Sequence, residues 1–353
     1  RDALIAYVEF PFVDPAEYEA VLACAADITT QGAGVGDAGY GMGCVTADFD
    51  NDGVMDMATA DLGADEISIL TGNGMGGDLF AIVWDAESGK LHGLNASGRS
   101  PQSLTREWFL DNGYERIPSH GPLPVTVPGC VDGWFELHER FGALPMAEVL
   151  APAIGYAREG FPVTFAQHFE IQSRAAQLAQ NPEAARLFLG EDGDAPDIGT
   201  LLRQPDLAAT LEAIAQSDAK AFYEGELASR MIDAVRADGG IWSLDDLRAY
   251  RVVERRPTVA HFRGQRVVSA SLPSSGGVLL AQMLMMLEDF PLERLAAADR
   301  VHLLAEVMRR AYADRARFLG DIDHVQVPLA RLLNRGEAAR RARQIDMQRA
   351  TPS

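Results

Sequence analysis

The feature that most constrains how this chain folds is a predicted β-hairpin early in its sequence. Two short runs, Leu79–Trp84 and Lys90–Asn95, flank the Gly-containing turn Ala86–Gly89. Apolar and aromatic residues around such a turn are typical of two adjacent strands. The glycines of Gly74–Gly77 precede the first strand and allow another segment of backbone to approach closely. We therefore expect the stretch from Asn73 to Pro101 to organise the surrounding fold.

A single arginine follows the second predicted strand. Arg99 comes directly after Gly98, just past the end of the run that closes the hairpin. A guanidinium presents paired N–H donors that match the two oxygens of a carboxylate, so an arginine at this position suits carboxylate binding. The alternative is an ordinary surface arginine beside a turn, because arginine is common in exposed loops. The local sequence leaves both interpretations open.

The rest of the chain is predicted to be mostly helical. Thr164 and Ser243 are placed as helix N-caps, each followed three residues later by a side chain that can return a hydrogen bond. Pro152 is expected to break the helical stretch around it. A second hairpin is predicted from 258–262 and 265–270. The fold class is therefore α/β (α+β) and rich in helices, with a small β-rich N-terminal segment.

Composition excludes several classes of partner. The chain has 353 residues, is 47% hydrophobic and 23% charged, and has a net charge of −20. This charge argues against nucleic acid and against anionic membrane as partners. A run of about 18 apolar residues, which a membrane span requires, does not occur in the sequence. The three cysteines (Cys24, Cys44, Cys130) are too few and too scattered to indicate a disulfide framework.

The negative charge is distributed unevenly. Residues 1–70 contain fourteen acidic residues and one basic residue, so they carry −13, and the rest of the chain carries −7. Such a contrast is typical of a chain built from different parts. We predict an unassigned segment at 1–36, an acidic repeat at 37–70 and a large domain at 71–353.

The acidic repeat contains a candidate calcium loop. Its carboxylates stand at loop positions 1, 3, 5 and 9 with Gly53 at position 6, a spacing of oxygen ligands that suits Ca²⁺. An EF-hand would have Glu at position 12, where this chain has Thr59, and the flanking runs are strand-like rather than helical. A solvated acidic turn is the alternative. The candidate metal ligands are Asp48, Asp50, Asp52 and Asp56. The stretch resembles one FG-GAP/VCBS-type repeat.

Local catalytic motifs do not appear in the sequence. It contains no G-x-S-x-G, H-E-x-x-H or Walker motif. Ser274 and Ser275 precede two glycines and could be read as a nucleophile or as a tight turn into a helix. The turn is favoured because no partner base stands in a recognisable motif.

A colinear series of longer motifs carries a family resemblance. It includes N-G-M-G-G-D-L-F-A-I-V-W-D at 73–85, G-L-N-A-S-G-R-S-P at 93–101, V-P-G-C-V-D-G-W at 127–134, D-G-G-I-W-S-L-D-D-L-R-A-Y at 238–250 and L-P-S-S-G-G at 272–277. Across about residues 73–353 the chain resembles the large-subunit region of the gamma-glutamyltransferase (glutathione hydrolase) family. The resemblance implies the αββα sandwich of an N-terminal-nucleophile hydrolase, made as one precursor that cleaves itself ahead of a Thr.

The resemblance also implies a reaction and its partners. The freed Thr attacks a γ-glutamyl amide, such as that of glutathione, and forms an acyl-enzyme without a cofactor. That Thr lies in the small subunit, downstream of Ser353, so no catalytic residue is expected in this chain and the chain alone is expected to be inactive. Arg99 matches the family arginine that binds the α-carboxylate of the glutamyl group. The expected partners are the small subunit of the same precursor and γ-glutamyl compounds.

The sequence is also compatible with two other functions. A cephalosporin (glutaryl) acylase-like amidase shares the fold and the chemistry, and differs in an acyl pocket built partly downstream. A non-enzymatic calcium-binding extracellular protein would use the acidic loop instead. The resemblance favours a periplasmic or extracellular location over a cytoplasmic one.

Overall fold

The computed structural model describes residues 45–47, 56–58, 75–85 and 88–351. The described residues fall into two compact units. The first unit contains 79–85, 88–95 and 253–351, and the second contains 45–47, 56–58, 75–78 and 96–252. Each unit is described separately below.

The strands and helices are numbered in chain order. The strands are β1 (Val45–Ala47), β2 (Asp56–Ala58), β3 (Leu79–Asp85), β4 (Lys90–Ala96), β5 (Phe161–Pro162), β6 (Leu201–Leu202), β7 (Val253–Glu254), β8 (Thr258–Phe262) and β9 (Gln265–Ser269). The helices are α1 (Arg106–Asp111), α2 (Cys130–Phe141), α3 (Met146–Glu159), α4 (Phe165–Leu178), α5 (Pro182–Phe188), α6 (Pro205–Ala215), α7 (Lys220–Tyr223), α8 (Glu226–Ala237), α9 (Leu244–Ala249), α10 (Gly276–Leu287), α11 (Ala297–Phe318), α12 (Leu329–Leu332) and α13 (Arg335–Ala342). Helices thus dominate the described residues, as the α+β prediction requires.

The predicted hairpin belongs to a three-stranded sheet in the first unit. Its strands β3 and β4 are neighbours, and β7 adds to the other edge of β4 in the order β3–β4–β7. β4 and β7 run antiparallel, with Leu94 opposite Glu254. Gly93 is needed here because a Cβ at this position would lie 2.9 Å from Pro257 Cγ and closer still to Arg255 O. The hairpin prediction is confirmed.

The second predicted hairpin is also present in the first unit. β8 pairs antiparallel with β9, and Arg263 and Gly264 connect them with φ angles of 49° and 82°. Two successive residues with positive φ are typical of the two-residue turns that match the twist of a hairpin. The β8–β9 pair packs on α10, and α11 and α13 also contact α10. Their shared core is formed by Leu279, Met286, Leu287, Leu303, Val307, Ala311, Ala338 and Ala342.

Helices make up most of the second unit. α2 buries Trp134 and Leu137. α3 packs against α6 and continues through Pro152, so the predicted break is wrong. Leu150 and Ile154 are both buried, one on either side of the proline, and their packing offsets the lost backbone hydrogen bond.

The acidic repeat is described only at its strands. β1 and β2 pair antiparallel, with Val45 opposite Ala58. This pairing agrees with the predicted strand–loop–strand order, and the loop between the two strands lies outside the described residues. In the part of the chain that the structure describes, none of the helices combines the length and the apolar character that crossing a membrane requires.

Candidate functional site

Arg99 is held in the second unit by a backbone bridge. β4 ends at Ala96, and three residues later the carbonyl oxygen of Arg99 accepts a hydrogen bond of 2.8 Å from Val127 N. This isolated antiparallel bridge fixes the backbone that carries the guanidinium. Arg99 is half-buried rather than fully exposed. Its backbone is therefore hydrogen-bonded to the segment that contains Val127. These two paired segments are called the bracket below.

Gly98 sets the other side of this bracket. Its N–H donates to Asp78 Oδ1 at 2.5 Å, which connects the Arg99 segment to the residue just before β3. A Cβ at position 98 would lie 2.6 Å from Val127 O and would also collide with Thr126. The close approach of these two backbone segments therefore requires glycine at this position.

The Gly-rich segment before β3 approaches the start of α2. Gly77 O accepts hydrogen bonds from Gly129 N at 3.2 Å and from Cys130 N at 3.0 Å. A Cβ at Gly129 would lie 2.6 Å from Tyr250 Cζ, and closer still to Tyr250 Oη and Ala96 O. The sequence-based expectation of a close backbone approach is thus confirmed at Gly77.

Two buried tyrosines donate hydrogen bonds to the backbone of the bracket. Tyr250 Oη donates to Ser97 O at 2.8 Å, two residues before Arg99. Tyr223 Oη donates to Pro128 O at 2.9 Å, one residue after Val127, which bridges to Arg99. The two rings are stacked, with centroids 5.7 Å apart and an angle of 8° between their planes. The pair therefore braces both backbone segments that enclose Arg99.

Asp132 connects the tyrosine pair to Val252, the last residue of the second unit. Its backbone N–H donates to Tyr223 Oη at 3.1 Å, and its carboxylate accepts from Val252 N at 3.0 Å. Burial raises the pKa of Asp132, and the hydrogen bond from Val252 and the charge of Arg251 partly oppose this effect. Asp132 is thus a structural acceptor within the support of the site.

Burial also determines the protonation of the groups around Arg99. It raises the pKa of Tyr223 and of Tyr250, and for Tyr250 the negative charge of Asp132 adds to this effect while the positive charge of Arg99 opposes it. Burial raises the pKa of the Cys130 thiol to about 12. The tyrosines therefore act as neutral donors, and Cys130 is not a thiolate nucleophile at neutral pH.

Together these groups form a site suited to binding a carboxylate rather than to breaking a bond. A guanidinium on a fixed backbone supplies the donors, and neutral hydroxyls behind it hold that backbone in place. Among the described residues, no group of three or more His, Cys, Asp or Glu side chains could hold a metal ion. The candidate calcium ligands Asp48, Asp50 and Asp52 lie outside the described residues, as does the side chain of Asp56.

Sequence patterns indicated Arg99 as a site residue but did not indicate the residues that hold its backbone. Asp78, Asp132, Tyr223 and Tyr250 carry no local signal of a site, although Asp78, Asp132 and Tyr250 lie within the motifs that carry the family resemblance. In the first unit, Ser275 Oγ accepts from Arg315 Nε at 3.0 Å just before α10. The start of α10 at Gly276, directly after Ser275, agrees with the interpretation of Ser274-Ser275 as a tight turn into a helix.

Comparison with known proteins gives a consistent family. The family model described as Gamma-glutamyltranspeptidase matches residues 54–353. The glutathione hydrolase proenzyme of Escherichia coli is 33% identical over 286 residues, which cover 79% of this chain and 49% of that protein. The acylase ACY 1 proenzyme of a Pseudomonas species is 41% identical over 232 residues, which cover 65% of this chain and 41% of that protein. The chain thus spans half or less of the length of these curated relatives.

A solved structure extends the comparison to the fold. The crystal structure of Helicobacter pylori gamma-glutamyltranspeptidase aligns with a TM-score of 0.74 at 32% identity, covering 79% of this chain and 81% of that one. The predicted fold class, a helix-rich α+β part of an N-terminal-nucleophile hydrolase, is confirmed by this alignment. The family match begins at residue 54, inside the acidic stretch 37–70, and the boundary placed at residue 71 stays a prediction.

Proposed function

The chain belongs to the gamma-glutamyltranspeptidase family, and on that premise we propose that it is the large-subunit part of an enzyme that cleaves γ-glutamyl amides such as glutathione. The glutamyl group would be transferred to a Thr in the small-subunit part of the same precursor and then to water or to an amine. Such an acyl-enzyme route uses a side chain as nucleophile and needs no cofactor. The proenzyme names of the relatives support a precursor of two parts.

The observation that carries this proposal is the bracket around Arg99. The backbone is held at Arg99 itself by Val127 and at the two preceding residues by Asp78 and Tyr250. A guanidinium fixed in this way can form two parallel hydrogen bonds to the α-carboxylate of a glutamyl group. Its contribution is to position the substrate, since fixed orientation lowers the barrier of the step that follows.

The test replaces Arg99 by Ala in the full-length precursor. KM for a γ-glutamyl anilide is expected to rise by a factor equivalent to roughly 2–5 kcal/mol, because one partner of a charge pair is removed. The matched control is Arg106→Ala, since Arg106 is exposed in the same unit and, among the described residues, forms an ion pair only with the neighbouring Glu107. Equal kinetics in the Arg99→Ala variant and the parent enzyme would remove the assignment.

A glutaryl acylase is the second candidate, and it is favoured by the 41% identity to acylase ACY 1. A glutaryl group also ends in a carboxylate that Arg99 could bind, so the Arg99 variant does not separate the two activities. The two acyl groups differ by the α-ammonium, which only the γ-glutamyl group has. The comparison is therefore kcat/KM for a γ-glutamyl anilide against the glutaryl anilide, and faster glutaryl cleavage would favour the acylase.

The remaining proposals concern the N-terminal stretch and the location of the protein. Residues 37–70 are proposed to form an FG-GAP/VCBS-like repeat that binds Ca²⁺ through the four aspartates named above, supported by their spacing and by the β1–β2 pairing. A periplasmic or extracellular location is proposed with it. Calorimetric titration with Ca²⁺ tests the site: saturable heat that Asp50→Ala abolishes is expected, and the absence of such heat would leave an acidic turn.

A further inference from the structure

The first unit contains a polar cavity that the proposed reaction does not use. It has a volume of about 200 Å³ and lies where α10, α11, α12 and α13 meet. Its lining includes buried residues of α10 and exposed arginines of α12 and α13. The polar lining residues are Gln282, Asp314, Arg331, Glu337, Arg340 and Arg341.

Gln282 lines this cavity and carries a buried acceptor that is unsatisfied. The residue is only 3% exposed, and its Nε2 donates to Asp314 Oδ2 at 2.8 Å. Its Oε1 is buried and has no hydrogen-bond partner in the described part of the chain. A buried acceptor without a donor is costly, by about 1–3 kcal/mol. The cavity therefore favours an occupant that brings a hydrogen-bond donor.

The charges around the cavity do not balance. Arg341 pairs with Asp314, and Arg340 pairs with Glu337 at 2.6 Å. Arg331 forms no ion pair or side-chain hydrogen bond with any described residue, and its guanidinium lies 5.3 Å from the centre of the Phe318 ring. Three guanidinium groups thus face two carboxylates.

The field at Glu337 agrees with this excess of positive charge. The hydrogen bond from Arg340 lowers the pKa of Glu337, and the positive charges of Arg340, Arg331 and Arg341 lower it further. All three guanidinium groups therefore act on the same small volume. An anion placed among them would find one uncompensated positive charge.

We propose that this cavity binds a phosphate group that still carries a proton. Arg331 would donate to the phosphate oxygens, and the P–OH group would donate to Gln282 Oε1. Inorganic phosphate has this combination at neutral pH, because both of its common ions keep at least one hydroxyl. Sulfate has the same shape but no hydroxyl, and a phosphate monoester loses its last hydroxyl above about pH 6.

The first test titrates the full-length protein with inorganic phosphate by calorimetry at pH 7 and constant ionic strength. Saturable binding is expected, and sulfate is expected to bind at least about tenfold more weakly because it lacks the donor that Gln282 requires. Glycerol phosphate is expected to bind more tightly at pH 5.5 than at pH 7. Equal affinity for phosphate and sulfate would overturn the proposal, and so would the absence of saturable heat, which would mean a cavity filled only by water.

Two arginine variants test whether phosphate binds in this cavity. Arg331→Gln is expected to weaken phosphate binding by about tenfold or more. The matched control is Arg335→Gln, because Arg335 is exposed at the start of α13 and does not line the cavity, and its effect is expected to stay within about twofold. Equal weakening by both variants would mean attraction by general surface charge and would overturn the site.

Gln282→Met removes the buried acceptor with little change in volume. It is expected to abolish the preference for phosphate over sulfate, and a preference that survives in the folded variant would contradict the role of Gln282. If Gln282→Met does not fold, the difference between the effects of Arg331→Gln and Arg335→Gln still decides whether phosphate binds in this cavity. γ-Glutamyl kinetics are not expected to change in the Arg331 variant, so this proposal and the one on Arg99 can fail separately.

Discussion

Tyr250 places a neutral donor directly behind the backbone of the Arg99 site. Burial raises the pKa of its phenol, Asp132 adds to this effect, and the charge of Arg99 opposes it. The hydroxyl therefore stays protonated across the physiological range and keeps its hydrogen bond to Ser97 O. A charged phenolate could not donate to that carbonyl.

Tyr250→Phe is expected to lower the free energy of unfolding by about 1–2 kcal/mol, because the stacked ring remains while the Ser97 carbonyl loses its donor. Urea denaturation followed by fluorescence measures the change. The matched control is Tyr156→Phe, since Tyr156 is 41% exposed and its hydroxyl forms no hydrogen bond with any described residue. Its effect is expected to stay within about 0.5 kcal/mol. Equal losses in the two variants would contradict the support assigned to Tyr250.

The limits of prediction at this scale follow from sequence distance. Arg99 could be located because a guanidinium next to a glycine at a strand end is a local pattern. Tyr250 could not, because 153 residues separate it from the carbonyl it binds. Periodicity identifies the buried face of a helix and says nothing about which distant backbone that face meets.

Helix starts were predictable because their signals act over three residues. Thr164 and Gln167 form the predicted capping box of α4, and Ser243 caps α9 with Asp246 returning the hydrogen bond. Pro152 shows where such local rules fail. The missing N–H is a local penalty, but packing of α3 against α6 is a tertiary gain that the surrounding sequence does not reveal.

Asp246 connects the cap of α9 to another part of the second unit. Its Oδ2 accepts from Ser243 N at 2.8 Å and from Ser243 Oγ at 2.7 Å, and its Oδ1 accepts from Gln102 N at 2.8 Å. The residue is buried, so these donors have no ready replacement in water. The carboxylate therefore holds the segment after Arg99 as well as the helix.

Asp246→Ala is expected to cost about 2–4 kcal/mol of unfolding free energy, because three hydrogen bonds to a charged acceptor are lost at once. The neighbouring Asp245 is the matched control, since its side chain is exposed and lies 3.7 Å from Arg248 in a surface pair. Asp245→Ala is expected to change stability by no more than about 0.5 kcal/mol. Circular dichroism during urea unfolding measures both, and a small effect at Asp246 would mean that water replaces its hydrogen bonds.

At the scale of the whole molecule, the assembly of each unit depends on contacts between distant segments. The sheet of the first unit combines β3 and β4 with β7, which the chain reaches only after the entire helical part of the second unit. Hairpin signals predict the neighbour pairs, whereas the addition of β7 has no signal in a single sequence. The resemblance to a family supplied the long-range organisation that local rules could not.

The acid stability of the molecule depends in part on one buried carboxylate in the first unit. Glu306 on α11 is 1% exposed and accepts hydrogen bonds from Arg310 Nη1 at 2.6 Å and from Thr351 N at 2.9 Å. Burial alone would raise its pKa, but the hydrogen bonds from Arg310 and Thr351 lower it to about 2. The hydrogen bonds of Glu306 thereby connect α11 to the segment around Thr351.

Glu306→Gln is therefore expected to destabilise the chain most at neutral pH. The folded-state pKa of about 2 lies below the usual 4.5, so the charged carboxylate stabilises the fold above pH 4.5, and this contribution is lost as the pH falls from 4.5 towards 2. The difference in unfolding free energy between parent and variant should shrink by on the order of 2 kcal/mol over that range. Urea titrations at pH 7, 5, 4 and 3 measure it, with Glu139→Gln on the exposed surface of α2 as the control. A difference that stays constant from pH 7 to 3 would show that the ionised carboxylate contributes nothing and that the side chain only fills space.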